Sequence, residues 1–166
     1  MYQPSVLLEP VEPWVFRTLD AFAVVLDSLV KITHLCGINI VILDGGAMRD
    51  ATAFYDELVR GFRLPNYFGR NLNALDECLC DLEWLDGAGF ILVVKRAEDI
   101  LRFETSEKLD GFVDVLRRAG REWSQPEGPP RNRPVKPFHS IFHCSSEGWR
   151  AEIPPLDLIL DSTRQP

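Results

Sequence analysis

An α/β protein with a small parallel sheet is predicted by two features of this chain. Two short runs, Ile38–Leu43 (INIVIL) and Phe90–Val94, are almost continuously apolar, and a third, Phe138–Cys144, shares their richness in β-branched or aromatic residues. Continuous apolar character, as opposed to alternation, marks strands covered on both faces, which is the usual state of parallel strands. Stretches with helical spacing of apolar residues lie between the runs and are long enough to serve as crossover connections. The expected architecture is therefore a three-stranded parallel sheet packed with helices.

The elements follow in chain order. Residues 1–13 hold three prolines and little periodicity, and read as an irregular arm. From Trp14 to Leu35 the residues Phe16, Leu19, Phe22, Ala23, Leu26, Leu29 and Val30 fall on one helical stripe, with Gly37 as a C-terminal cap. After the first strand, Asp44-Gly45-Gly46 turns the chain. Asp50 is a good N-cap for a helix to about Gly61 that points Phe54, Leu58 and Phe62 inward. Pro65 and Gly69 punctuate a short aromatic turn carrying Tyr67 and Phe68, one of which can be core and the other exposed. Asn71 then caps a helix that buries Leu72, Leu75 and Leu79.

Asp86 to Gly89 loops into the second strand, followed by a short helix near Ala97–Phe103. Thr105 or Ser106 caps a longer helix to about Trp123, with Leu109, Phe112, Val113 and Leu116 on its core face. Residues 124–137 (SQPEGPPRNRPVKP) form a proline-rich basic linker, expected to be poorly ordered in the free protein because it buries little apolar surface against its ordering entropy. Beyond the third strand, the tail from 147 to 166 offers one apolar stretch, Leu156–Leu160, that can dock on the body. This divides the chain into an N-terminal extension with one helix (1–37), a main domain (38–146) and a C-terminal tail (147–166).

Composition narrows the function. A length of 166 residues suits one domain with its own core. The net charge of −7 argues against a nucleic-acid binder, which needs a basic surface to release counterions, and suits a basic protein partner. No apolar stretch is long enough to span a bilayer, and the N-terminal residues lack the basic start and apolar run of a secretory signal, so the expected location is cytoplasmic. Cys36, Cys78, Cys80 and Cys144 have neither disulfide-framework nor zinc-ribbon spacing and read as free thiols. Gly45-Gly46 lacks the flanking pattern of a phosphate loop. His139 and His143 lie about 13 Å apart along a strand, too far to share a metal ion. No nucleophile elbow, HExxH motif or cofactor fingerprint is present, so the expected protein is not an enzyme and carries no cofactor.

One charge pattern stands out. Between Asn71 and Asp86 the chain carries Asp76, Glu77, Asp81, Glu83 and Asp86 and not one Lys or Arg. Glu77 and Asp81 are like charges four apart, which disfavours a helix by roughly 0.2–0.5 kcal/mol. Acids late in a helix also oppose its dipole. Local rules broken in this way tend to mark functional surfaces, although a solvated acidic face is the plain alternative.

Residues 64–79, LPNYFGRNLNALDECL, resemble the signature of the barstar family of ribonuclease inhibitors through Leu64, Pro65, Tyr67, Phe68, Gly69, Asn71, Leu72, Ala74, Leu75, Cys78 and Leu79. The resemblance covers about residues 38–146. It implies the same small three-stranded parallel sheet, and a turn and helix that enter a ribonuclease cleft with carboxylates standing where substrate phosphates would lie. It points to Tyr67, Asn73, Asp76, Glu77, Cys80 and Asp81 as partner contacts, and to a small basic ribonuclease as the partner. The chain departs from the family pattern at four positions: Asn73 and Glu77 stand where an Asp is usual, Asp76 where a Trp is usual, and Arg118 where a further contact acid would align. Those departures, with the added segments at both ends, keep open a second expectation: a barstar-fold interaction or regulatory module whose partner is not a nuclease.

Overall fold

The computed structural model describes residues 4–125, 133–145 and 153–156. Four strands form one sheet: β1 (Val15–Thr18), β2 (Ile38–Asp44), β3 (Gly89–Lys95) and β4 (Phe138–His143). Their order is β1-β4-β3-β2 and every neighbouring pair is parallel. The helices are α1 (Phe22–Cys36), α2 (Ala51–Phe62), α3 (Leu72–Asp81) and α4 (Ser106–Ser124).

The three apolar runs are strands of one parallel sheet, as the sequence predicts, but the sheet has four strands instead of three. The additional one, β1, comes from the stretch read as the start of a long helix. Phe16, Leu19 and Phe22 do fit a helical stripe, yet Val15 to Thr18 contains β-branched residues that pair in register with Ser140 to His143. The helix begins only at Phe22. Propensity over four residues is a weak signal, and an available partner strand overrides it. The outer edge of β1 is bridged by the tail: Arg17 donates its backbone N–H to Pro154 O at 2.9 Å and accepts from Leu156 N–H at 2.8 Å. Leu156 is buried there, while residues 157–160 of the expected docking stretch lie outside the described residues.

Alternation along β3 sorts the core into two layers. Phe90, Leu92 and Val94 face one side with Phe54, Leu58, Leu75, Leu79, Phe112 and Leu116 from α2, α3 and α4. Ile91 and Val93 face the other with Leu7, Phe16, Val25, Leu29 and Leu156. The N-terminal residues and the tail therefore cover the second face of the sheet. Helix starts follow the expected chemistry: Asp50 Oδ1 accepts from Ala53 N–H at 3.0 Å, and Asn71 Oδ1 accepts from Ala74 N–H at 2.9 Å. The short helix expected near Ala97–Phe103 is a single 3-10 turn, Ala97–Asp99.

His139 locks the N-terminal arm to the sheet. It is fully buried, stacked on Trp14 at 5.6 Å, with Nε2 2.8 Å from Glu9 O and Nδ1 3.1 Å from Pro13 O. Burial holds its pKa below the usual 6.5, against the raising effect of the surrounding carbonyls. The folded state is thus the poorer proton binder. Its contribution to stability is complete above pH of about 6.5 and is lost as the pH falls through the depressed folded-state value. Urea unfolding at pH 7.5 and 5.5 is expected to show a loss of stability in the natural chain that His139→Gln reduces; equal losses in both proteins would contradict this.

Candidate functional site

The site begins with a turn. Pro65 O accepts from Phe68 N–H at 2.9 Å, and Phe68 packs edge-on against Tyr55 of α2. With Phe68 anchored inward, its neighbour Tyr67 points out and is 77% exposed. Gly69 allows a close approach: a Cβ there would sit 3.1 Å from Asn71 Nδ2 and 3.3 Å from Ala74 Cβ, so both side chains would have to shift slightly. Asn71 fixes the junction from both ends, donating to Gly69 O at 3.0 Å while capping α3.

Helix α3 turns Leu75, Cys78 and Leu79 into the core and leaves Asn73 and Glu77 exposed, with Asp76 and Asp81 half-buried. Among the described residues neither Glu77 nor Asp81 has an ion-pair partner. Together with Tyr67 they line a small cleft of ≈ 170 Å³ beside Ala74 and Cys78. Their field is felt below: burial first, and then the charges of Asp81 and Glu77, push the Cys78 thiol up from its ordinary value. Both effects disfavour the thiolate, the reactive form of a cysteine.

Asp76 differs from Glu77. Its Oδ2 lies 3.4 Å from Arg118 Nε of α4, and its Oδ1 lies 3.9 Å from Cys80 Sγ. Cys80 is itself buried, so it supports Asp76 from beneath and offers no surface of its own. The acid gained at 76 and the base gained at 118 thus face each other, and the two departures from the family pattern cancel locally in charge. With an Arg118 side chain 73% exposed, a double-mutant cycle on stability is expected to give a coupling of about 0.2–1 kcal/mol. A coupling above ~2 kcal/mol would mean that the pair is far drier than it stands here.

A larger groove of ≈ 810 Å³ runs from Glu77 and Asp81 past Glu83 and Asp86 to Trp123, Arg133 and Lys136. Trp123 Nε1 donates to Leu79 O at 2.8 Å, and Arg133 Nη1 donates to Asp81 O at 3.4 Å. These contacts satisfy two carbonyls in the last turn of α3, where the helix dipole is negative and the local acids make it worse. Arg133 also lies over the Trp123 ring, 3.5 Å from its centroid, and Lys136 is fixed by its backbone N–H to Trp123 O at 3.1 Å. Of the linker expected to be poorly ordered, residues 126–132 lie outside the described residues, while Arg133 and Lys136 are held by these contacts.

Of the residues the sequence points to, Tyr67, Asn73, Asp76, Glu77 and Asp81 lie at least partly exposed on the turn and α3, whereas Cys80, also expected as a contact, is buried because it falls on the inward side of α3. The sequence reading did not assign Trp123, Arg133 or Lys136 to the site. A signal was present: an acidic helix terminus without local cations needs cations from elsewhere, and residues 131–136 are the basic stretch that leads into a neighbouring strand. Among the described residues no group of three or more His, Cys, Asp or Glu side chains is arranged to hold a metal ion. Among the described residues no helix is long and apolar enough to cross a membrane.

An exposed aromatic turn thus stands beside an acid-rich helix on a small, all-parallel sheet. The family model for Barstar (barnase inhibitor) matches residues 38–139, and the chain belongs to that family. It is also similar to the "Putative ribonuclease inhibitor YrdF" of Bacillus subtilis (strain 168), with 33% identity over 82 residues, which is 49% of this chain and 86% of the relative.

Proposed function

We propose that the chain is a non-catalytic protein inhibitor of a basic ribonuclease, and that Tyr67, Glu77 and Asp81 form the centre of its contact face. One observation carries this reading: among the described residues two carboxylates on α3, Glu77 and Asp81, stand without ion-pair partners beside an exposed tyrosine, although α3 would be more stable without them. A ribonuclease cleft gathers Arg, Lys and His around a phosphoryl transition state. Carboxylates four residues apart on one helix face, with Cβ atoms about 5–6 Å apart, can take charge-assisted hydrogen bonds from such a cleft. The family membership and the name of the Bacillus relative support the same class of partner.

Asn73 and the paired Asp76–Arg118 sit at the edge of this face, so the partner meets a neutral amide and a self-compensated ion pair there. This favours a second reading, in which the partner is a protein other than a nuclease and the chain is an interaction or regulatory module. The two readings separate in one experiment. The purified chain is mixed with a small secreted basic ribonuclease, preferably one encoded beside its own gene, and both capture and RNA cleavage are followed. Stoichiometric loss of cleavage supports the inhibitor; capture with undiminished cleavage supports the module; no capture removes the ribonuclease.

A further inference from the structure

We propose that Arg133 and Lys136 act as an intramolecular competitor, a basic strap that occupies the acidic groove of the free protein and must yield to a cationic partner. The proposal concerns regulation of the same face and rests on the reading of Glu77 and Asp81 as partner contacts. Its ground is the seating of Arg133. The guanidinium carbon lies 3.5 Å from the centroid of the Trp123 ring, with Nη1 3.4 Å from Asp81 O and Nη2 3.9 Å from a Glu122 carboxylate oxygen. A planar cation held by an aromatic face, a carbonyl and a carboxylate is the arrangement by which proteins bind an arginine from outside. Only 17% of the side chain remains exposed.

Geometry places the strap in the path of a partner. The groove that holds Arg133 and Lys136 is continuous with Glu77 and Asp81, which share its lining. An incoming cation bound for those carboxylates meets two positive charges already inside the same cavity. They lower the local negative potential and occupy volume, and both effects weaken and slow association. Lys136 is the softer element. Its backbone is pinned to Trp123, but its Nζ reaches 5.5 Å from the Phe90 ring and 5.7 Å from that of Trp123, at the outer limit of a cation–π contact. Its head group can leave without breaking a hydrogen bond of the fold.

Hexa-arginine is a probe that does not depend on the identity of any nuclease. Calorimetric titration should show Arg133→Gln/Lys136→Gln binding it about tenfold more tightly than the natural chain. The gain should shrink at 0.5 M salt, where the Debye length falls to about 4 Å, and vanish when Glu77→Gln and Asp81→Asn are added. Lys136→Gln alone should give part of the gain with unchanged thermal stability, which keeps the test valid if Arg133→Gln impairs folding. Unchanged or weaker hexa-arginine binding in a folded Lys136→Gln variant overturns the strap and makes these residues purely structural. The same variants assayed on a basic ribonuclease separate this proposal from the one it rests on. Inhibition that ignores the strap variants defeats the strap alone, whereas tighter hexa-arginine binding without any nuclease inhibition defeats the inhibitor reading alone.

Discussion

Glu77→Ala is expected to cut affinity for a basic ribonuclease by about 2–5 kcal/mol, the usual consequence of truncating one partner of a buried charge pair and a range that measurements on the barnase–barstar complex of this family helped to set. The loss should appear mainly in the dissociation rate. Stability of the free chain should stay level or rise by a few tenths of a kcal/mol, since the substitution relieves a like-charge i, i+4 contact with Asp81 and puts a good helix former at an exposed position. Asp81→Asn, at the end of α3 and nearer the rim of the face, should act more on the association rate and its dependence on salt. Surface plasmon resonance and urea unfolding on the two variants measure both quantities. A Glu77→Ala protein that is destabilised and still inhibits would make the acid structural and end the inhibitor mechanism.

The second large effect belongs to Trp123. The ring is 3% exposed, packs against Phe90 at 5.1 Å between centroids, carries Arg133 on its face, and donates to Leu79 O. It therefore ties α4 to the last turn of α3 and to β3 at once. Trp123→Ala should destabilise by about 3–5 kcal/mol through lost burial and the cavity left behind. For a chain of this size that corresponds to a fall in Tm of roughly 6–20 °C. Trp123→Phe isolates the indole N–H: it keeps most of the packing and leaves Leu79 O without this donor, for a loss of about 1–3 kcal/mol. A Trp123→Ala loss below ~1 kcal/mol would show that the α3–α4 junction does not depend on this ring.

Much of the fold was legible because local patterns and tertiary demands coincide. The runs at 90–94 and 138–143 are covered on both faces apart from the end of β4, whereas β2, at the sheet's edge, is only partly covered on one face and leaves Ile42 exposed. Asp50 and Asn71 are N-caps because a short oxygen-bearing side chain before an apolar helix has few better partners than the free N–H groups ahead of it. The core choice between Tyr67 and Phe68 was open, since both aromatics fit the turn. It was decided by Tyr55, which offers a packing face to only one of them.

The stretch from Trp14 to Thr18 shows where the sequence stops informing. Its apolar spacing fits a helix, and two β-branched residues, Val15 and Thr18, are too few to announce a strand. The register with β4, the tail bridging at Arg17 and the His139 contacts with the arm all come from residues more than 120 positions away.

The chemistry of the candidate face divides along the same line. The acids of α3, the cap that starts the helix and the signature turn are contiguous in the chain, so the sequence alone determines that a cluster of negative charge is displayed beside an aromatic turn. Which of those charges is free was decided only in three dimensions. Arg118 crosses from α4 to pair with Asp76, and Arg133 arrives from the segment before β4 to cap α3 at Asp81 O, while Glu77 and Asp81 keep their carboxylates open. The reason is physical: helix periodicity fixes where each acid points, whereas neutralisation acts over a few ångströms through space, and a distance of that kind between positions 42 or 52 residues apart exists only once the sheet has brought α3, α4 and β4 together.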